Sequence, residues 1–286
     1  MKEIGGSTKV CGLIGSPVAH SKSPAIHNFL AEKTGYDLCY AAFPVEEGSL
    51  NKAVDGAYAL GMQGINVTVP YKQEVIPFLK DIDPLAKKIG AVNTLVRTDG
   101  GYTGYNTDMP GLLRAFERDG VEVKDKDLII LGAGGVARAV VMLLEESGAA
   151  SVTIINRNAD RAEDLAGDVN KAGDRNFARP LSIGEADRLP EGKKYIVIQA
   201  TSVGMHPDEN ACVIDDKSFY EHVSIGYDLI FNPAETMFMK HCREAGALAY
   251  NGSKMLLYQA VIAFEHWTGL KVSDELSDET YRRIFE

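Results

Sequence analysis

The segment Asn66-Val67-Thr68-Val69-Pro70-Tyr71-Lys72 closes an apolar run with polar side chains two residues apart. In a strand that spacing puts Asn66 and Thr68 on one face, and Lys72 follows a proline that ends the ladder. Ligands of α/β sheets gather at such C-terminal strand edges. Two later segments, Gly90-Ala91-Val92-Asn93-Thr94 and Gly104-Tyr105-Asn106-Thr107-Asp108, add an amide and a carboxylate in loop-like contexts. Each segment alone is also ordinary turn chemistry, because Asn and Asp bond their own backbone. Together they would form a ring of short hydroxyl-binding groups around one lysine and one aspartate. Upstream, Ser21-Lys22-Ser23-Pro24 reads first as a helix start, with Ser23 as the cap and Pro24 at the first helical position. The same two hydroxyls, beside free helix N–H groups, would also suit a carboxylate.

A second kind of chemistry sits in the middle of the chain. Leu128-Ile129-Ile130-Leu131-Gly132-Ala133-Gly134-Gly135-Val136-Ala137 is an apolar strand running into G-x-G-x-x-A and then a helical pattern. Gly132 permits a tight turn, Gly134 lets backbone approach a pyrophosphate, and Ala137 is small enough for close helix–strand packing. The helix start then offers N–H groups and a positive dipole end to phosphates. At the end of the next strand an NAD site usually carries an acidic residue for the ribose. Here the chain reads Asn156-Arg157-Asn158, then Arg161. Guanidinium forks grip a 2′-phosphate that a carboxylate would repel, so the pattern predicts NADP rather than NAD. Charge-assisted hydrogen bonds contribute roughly 1.5–3 kcal/mol each, enough for two to decide the choice. Read without that context, the two arginines are a solvated helix face.

Positioning these groups requires alternating strands and helices. Strand-like runs fall at Val10–Ile14, Leu38–Phe43, Ile65–Val69, Leu128–Leu131, Val152–Ile155, Tyr195–Ile198 and Ser224–Leu229. Helical patterns fall between them at Ala25–Lys33, Leu50–Leu60, Gly111–Arg118, Ala137–Ser147 and Asp160–Val169. Gly35, Gly61, Gly120 and Gly148 stand where C-cap glycines belong. The alternation predicts an α/β fold with mostly parallel sheets. A dinucleotide fold begins with its glycine-rich turn, yet more than a hundred residues precede Gly132. A separate α/β unit therefore comes first. Pro110 suits the first turn of a helix that could bridge the two units.

Composition narrows the partners. Hydrophobic residues make up 45% and charged residues 24%, as in an ordinary globular protein. A net charge of −10 disfavours nucleic acid and anionic membrane surfaces as main partners. Cys11, Cys39, Cys212 and Cys242 are scattered, without paired ligands for zinc. No metal site is expected. The N-terminus lacks the apolar core of a signal peptide, and no apolar run reaches the ~18 residues of a membrane helix. A cytoplasmic protein, monomeric or homodimeric, acting on a small molecule is expected.

The motifs S-x-S-P, N-V-T-x-P-x-K, G-A-V-N-T, G-x-N-T-D, G-A-G-G, N-R-x-x-x-R, A-T-S-x-G-M and M-L-x-x-Q follow one another in this order. From Val10 to about Trp267 the chain resembles the shikimate dehydrogenase family. The resemblance implies an α/β fold of two lobes, a substrate-binding domain (residues 1–108 and 244–286) and an inserted Rossmann-type NADP domain (109–243). It implies reversible reduction of 3-dehydroshikimate to shikimate with NADP, a step toward chorismate and the aromatic amino acids. Ser21 and Ser23 would take the substrate carboxylate. Asn66, Thr68, Asn93, Asp108 and Gln259 would hold the ring hydroxyls, with Lys72 and Asp108 at the reacting carbon. Gly132, Ala133, Gly134, Gly135, Val136 and Ala137 would carry the pyrophosphate, and Asn156, Arg157, Asn158 and Arg161 the adenosine end. Thr201 and Met205 would approach the cofactor, while Tyr227 and Gly252 would border the nicotinamide. Three positions depart from the family pattern: Asn158 where many relatives have Thr, Phe231 for a common Tyr, and Lys254 for a frequent Gly.

Two roles follow for Lys72. As a general acid it would pass a proton to the carbonyl oxygen, with Asp108 orienting the amine. As a fixed cation it would stabilise the developing alkoxide. Burial and a neighbouring carboxylate act on a lysine with opposite sign, so the sequence leaves both roles open. Two rival functions stand beside this one. A quinate/shikimate dehydrogenase with broad substrate or NAD use is opposed by Thr68 and Arg157. A non-catalytic dinucleotide sensor would have no need of both Lys72 and Asp108. The six histidines (His20, His27, His206, His222, His241, His266) lack metal-ligand spacing and are read as surface or packing groups. Trp267 ends the apolar helical face of Leu257, Ala260, Val261 and Phe264 and is expected in the core.

Overall fold

The computed structural model describes residues 4–286. It divides into two compact units, one formed by the chain up to Arg114 together with Leu256–Glu286, the other by Ala115–Met255. Each has its own six-stranded sheet.

In the first unit the strands are β1 (Lys9–Gly15), β2 (Leu38–Pro44), β3 (Gly64–Val67), β4 (Asp81–Ile82), β5 (Thr94–Thr98) and β6 (Gly101–Tyr105). They lie in the order β2-β1-β3-β5-β6-β4. β1 pairs in parallel with β2 and β3, but β5 runs antiparallel to both β3 and β6. The expectation of mostly parallel sheets still holds here, since β4 also pairs in parallel with β6 and β5 is the strand that runs against the others. The chain reverses from β5 to β6 at the Asp99-Gly100 loop: Thr98 pairs with Gly101 across it, and Gly100 takes φ +79°. A two-residue Asp-Gly loop is the strongest short-range hairpin signal. It also makes strands of Thr94, Gly104 and Tyr105, which read as loop. The accompanying helices are α1 (Ser23–Thr34), α2 (Leu50–Ala59), α3 (Pro84–Ile89) and, at the C-terminus, α10 (Asp274–Phe285). The core joins Ile65, Val67, Leu95 and Tyr102 from the strands to Val54, Tyr71 and Val75. Trp267 is buried, donates its indole N–H to the Leu95 carbonyl, and lies where any Cβ at Gly64 would stand.

The chain passes out of this unit inside α4 (Asp108–Asp119) and back inside α9 (Ser253–Thr268). The change of unit thus falls beyond Asp108 and beyond Arg243, because a helix carries the chain through each crossing.

The second unit contains β7 (Asp127–Leu131), β8 (Ser151–Asn156), β9 (Ala178–Ser182), β10 (Tyr195–Gln199), β11 (Val223–Asp228) and β12 (Leu248–Tyr250). All pair in parallel, in the order β9-β8-β7-β10-β11-β12. Counted within the unit this is 3-2-1-4-5-6, the order of a dinucleotide-binding sheet, whose direction of winding reverses between β7 and β10. Helices α5 (Gly135–Glu146), α6 (Ala159–Gly173), α7 (Lys217–Tyr220) and α8 (Met237–Glu244) complete it. Strands buried on both faces read as continuous apolar runs. Leu128–Leu131 and Tyr195–Ile198 show this, and every one of those residues is buried. Among the described residues no helix is long and apolar enough to cross a membrane.

Candidate active site

In the first unit the C-terminal ends of β1 and β3 meet the segments that flank the β5–β6 hairpin. The Lys72 backbone is fixed by the N–H of Val92, which donates to its carbonyl over 2.8 Å. Its ammonium donates to Asp108 Oδ2 at 2.7 Å, in a pair of side chains that are 31% and 18% exposed. Asp108 opens α4, and its own N–H is taken by the Asn106 side chain at 3.1 Å. An ion pair at this exposure contributes little to folding. It does hold an amine with two remaining N–H donors beside a carboxylate oxygen. That arrangement can bind a hydroxyl or carbonyl oxygen and pass a proton to or from it.

Behind the pair lies a buried amide–hydroxyl cluster. Asn93 Oδ1 accepts from the Thr107 N–H (2.8 Å), the Thr107 hydroxyl (3.1 Å) and the Thr94 hydroxyl (3.0 Å). Its Nδ2 is buried and has no hydrogen-bond partner among the described residues. Buried polar groups are rarely left so, and where they are, a ligand is the natural partner. Asn66 differs. Its Nδ2 donates to the Asn93 carbonyl and the Thr94 hydroxyl, and its Oδ1 accepts from Tyr40. The expected ring-hydroxyl contact at Asn66 is therefore corrected: both ends of the amide are spent inside the protein. Thr68, half-buried, sits two residues further, just past the end of β3, with its methyl group against Gly15.

Ser23 is the first residue of α1 rather than its cap, a position held by Lys22. Ser21 supplies the missing acceptor, its hydroxyl taking the Ser23 N–H at 3.2 Å. Gln259 lies on α9 where Gly111 of α4 comes so close that a Cβ would stand 2.6 Å from the Gln259 backbone nitrogen. Gly111 therefore has to be glycine, and its absent side chain brings Gln259 to the α4 turn that carries Asp108. Beneath these groups His27 is fully buried, stacked on Tyr40 at 4.3 Å and tilted against Trp267 at 5.0 Å. Burial pushes its pKa down to about 3, against a smaller opposing pull from Asn66.

In the second unit β7 ends in Gly132, at φ +114° with its N–H donated to Ile155. Gly134 caps α5 with extended backbone and offers no side-chain cap to the first N–H groups of that helix. A Cβ at Gly134 or Gly135 would meet nothing within 4 Å, whereas Ala137 is fully buried. Donors free and open on one side, with close packing on the other, are what a pyrophosphate needs. Ala133 and exposed Val136 complete the turn. At the end of β8, Asn156 donates to the Asn158 carbonyl, and the Asn158 side chain caps α6 by accepting the Arg161 N–H. Asn158 thus serves the helix cap that a Thr would also serve. Arg157 and Arg161 are exposed, and neither forms an ion pair among the described residues. A dinucleotide with a 2′-phosphate fits this residue set.

The loop after β10 reveals two residues missed in the sequence. Gln199, fully buried, accepts from both the N–H and the hydroxyl of Thr201 (2.5 and 2.7 Å) and donates to the Val203 carbonyl. Asp228, also fully buried, accepts from Gln199, the Ile230 N–H and the Thr236 hydroxyl. Burial pushes its carboxyl up to about 6, despite those three donors. The γ-methyl of Thr201 is thereby set against Gly132, and Met205 is 43% exposed further along the loop. A polar residue ending an apolar strand, as Gln199 does, was the available signal.

Tyr227 is a correction. Its ring is fully buried edge-on to Phe116, and its hydroxyl donates to Asp119 at 3.2 Å, so it presents no surface to a ligand. Lys254, unusual in the family pattern, pairs with that same Asp119. Gly252 is buried against β11, where a Cβ would stand 2.2 Å from the Leu229 carbonyl oxygen, so only glycine fits.

Comparison with known proteins gives matches in both units. Residues 13–95 match the model of the shikimate dehydrogenase substrate binding domain. Residues 115–188 match shikimate / quinate 5-dehydrogenase, and 252–276 the shikimate 5'-dehydrogenase C-terminal domain. The shikimate dehydrogenase (NADP(+)) of Carboxydothermus hydrogenoformans is 42% identical over 267 residues, covering 93% of this chain and 94% of that one. The crystal structure of shikimate 5-dehydrogenase from Listeria monocytogenes, in complex with shikimate and NAD, superposes with a TM-score of 0.90 at 32% identity, covering 100% and 99% of the two chains. That of the Thermus thermophilus enzyme with NADP(H) and shikimate gives 0.84 at 31% identity, over 97% and 100%. Identity at this level runs through both units, and the chain belongs to the shikimate dehydrogenase family.

Proposed function

We propose that this chain is an NADP-dependent shikimate dehydrogenase, interconverting shikimate and 3-dehydroshikimate on the route to chorismate and the aromatic amino acids. The observation that carries the reading is the Lys72–Asp108 pair beside the unpartnered buried N–H of Asn93. NADP⁺, when bound, supplies the acceptor for the hydride leaving the substrate carbon. The protein does the rest by position and charge. Ser21 and Ser23 bind the carboxylate at the start of α1. Thr68, Asn93 and Gln259 hold ring hydroxyls, Asn93 as a donor. Lys72 and Asp108 hold the reacting hydroxyl; in oxidation its proton passes to Lys72 as the neutral amine, and in reduction the ammonium so formed returns it to the carbonyl oxygen.

The unit built on β1–β6 is the substrate domain, and the unit built on β7–β12 binds the dinucleotide. Gly132 to Ala137 bind the pyrophosphate, Arg157 and Arg161 grip the 2′-phosphate, and Asn156 and Asn158 shape that end. Thr201, Met205 and Gly252 border the nicotinamide end. The cytoplasm is the proposed compartment, with the protein a monomer or homodimer. A non-catalytic sensor is disfavoured by the ion pair, which cofactor binding alone does not require.

One assay tests this: purified protein with shikimate or quinate and NADP⁺ or NAD⁺, following reduced nicotinamide by absorbance. Shikimate with NADP⁺ should have the highest kcat/KM. Equal or better values with quinate would make it a broad-substrate enzyme, and cofactor binding without turnover would make it a sensor.

A further inference from the structure

We infer that Tyr40 is a positioning residue of this site: its hydroxyl satisfies the acceptor end of Asn66, whose amide, together with Thr94, holds Asn93 so that it presents an N–H donor. The inference rests on the proposed function and concerns how that same site is held.

The direction of these hydrogen bonds can be read because backbone groups anchor both ends of the relay. The Thr107 N–H can only donate, and it reaches Asn93 at 2.8 Å, so that end of the Asn93 amide is its oxygen. The other end is the buried Nδ2 that no group among the described residues satisfies. At Asn66 the anchor is the Asn93 carbonyl, which can only accept, at 3.2 Å. The group facing it is the Asn66 nitrogen, which also donates to Thr94 Oγ1 at 3.0 Å. Asn66 Oδ1 therefore points at Tyr40, whose hydroxyl must donate to it across 2.7 Å. Having accepted from Asn66, the Thr94 hydroxyl gives its proton either to Asn93 Oδ1 or to the Thr107 hydroxyl, each at 3.0 Å, and the Thr107 hydroxyl in turn lies 3.1 Å from the same Asn93 oxygen. With the Thr107 N–H and a threonine hydroxyl on it, both lone pairs of that oxygen are engaged within the protein.

Tyr40 is well suited to begin such a relay. It is 2% exposed, and burial pushes its pKa well above the usual phenol value, so it stays a neutral donor. Its ring is clamped by His27, stacked at 4.3 Å and 19°, and by Trp267 at 6.0 Å. Without its hydroxyl, the Asn66 amide keeps a buried acceptor unsatisfied, which loosens its hold on the Asn93 carbonyl and the Thr94 hydroxyl. The support that keeps the Asn93 amide in place is weakened with it.

The test is a double-mutant cycle of Tyr40→Phe and Asn93→Ala, read as KM and kcat for shikimate and for NADP⁺. Phe keeps the ring stack and removes only the hydroxyl. Tyr40→Phe should raise the shikimate KM about tenfold, with the NADP⁺ KM changed by less than about twofold. If Tyr40 acts through Asn93, the double variant should be no worse than Asn93→Ala alone. Additive losses, an unchanged shikimate KM, or equal damage to both KM values would overturn the inference. Should Tyr40→Phe not fold, Thr94→Val breaks the relay one link later and is read the same way. A wild-type protein that does not reduce NADP⁺ with shikimate would overturn the proposed function and this inference with it. An active wild type with additive losses would overturn only the inference.

Discussion

The Lys72 ammonium donates to Asp108 Oδ2 over 2.7 Å, so the two groups act as one polar unit, part-open to solvent. One N–H of the amine is engaged by the carboxylate, which fixes where the other two point.

Removing either partner should therefore separate chemistry from binding. Lys72→Ala is expected to lower kcat by about 10²–10⁴-fold, the range for a lost acid–base group. Its shikimate KM should change far less, because Ser21, Ser23 and Asn93 still hold the molecule. Asp108→Asn keeps the shape and removes the charge, and should harm KM and kcat together. Steady-state kinetics on both variants decide the roles. Normal turnover with poor affinity in Lys72→Ala would make the lysine a binding group.

Cofactor choice should depend on the exposed arginines at the end of β8. Arg157→Ala is expected to raise the KM for NADP⁺ and leave weak NAD⁺ use nearly unchanged, since only NADP carries the extra phosphate. Losing one charge-assisted contact of about 1.5–3 kcal/mol corresponds to roughly a ten- to hundredfold rise. Arg161 can cover part of that, so the double Arg157→Ala/Arg161→Ala variant is the stricter measurement. Equal weakening of both cofactors would move Arg157 to the adenine or to folding.

Acid should destabilise the protein through His27, whose folded pKa near 3 lies below the ordinary 6.5. The sign follows from proton counts. Between these values the unfolded chain holds the proton and the folded chain does not, so stability is lost as pH falls below about 6.5. At pH 5 the loss attributable to His27 is about 2 kcal/mol. Asp228 works the other way: its folded pKa near 6 is above the ordinary 3.8, so its contribution declines as pH rises through 6. The comparison must therefore be against His27→Phe, by urea unfolding at pH 7 and pH 5. The variant should lack about 2 kcal/mol of the wild-type acid sensitivity. Identical pH dependence in the two proteins would show that His27 takes up no proton on unfolding.

Much of the dinucleotide unit is legible residue by residue, because its signals are local. The apolar run, the G-x-G-x-x-A turn and the helix after it depend on propensity and φ angles within about ten residues, and Gly132 takes the positive φ the motif requires. The C-cap glycines Gly35, Gly61, Gly120 and Gly148 are all left-handed for the same reason. The β5–β6 hairpin carries an equally local Asp-Gly signal, hidden by flanking residues that have loop-like composition. β9 and β12 escape the sequence pattern because Ala178–Ser182 and Leu248–Tyr250 are short edge strands with little apolar periodicity. What only the tertiary structure decided is which polar atoms are already spent. Asn66 looks like a ligand group until its partners at Tyr40, Asn93 and Thr94 are seen, and Tyr227 does until Asp119 takes its hydroxyl. Gln199 shows only as a polar end to an apolar strand, and Asp228 not even as that, until a pair of adjacent strand ends brings them together. Residue type and spacing set what a side chain can donate or accept. Whether that capacity is left for a ligand depends on neighbours distant in sequence, and a buried donor or acceptor takes whichever partner the packed fold puts within reach.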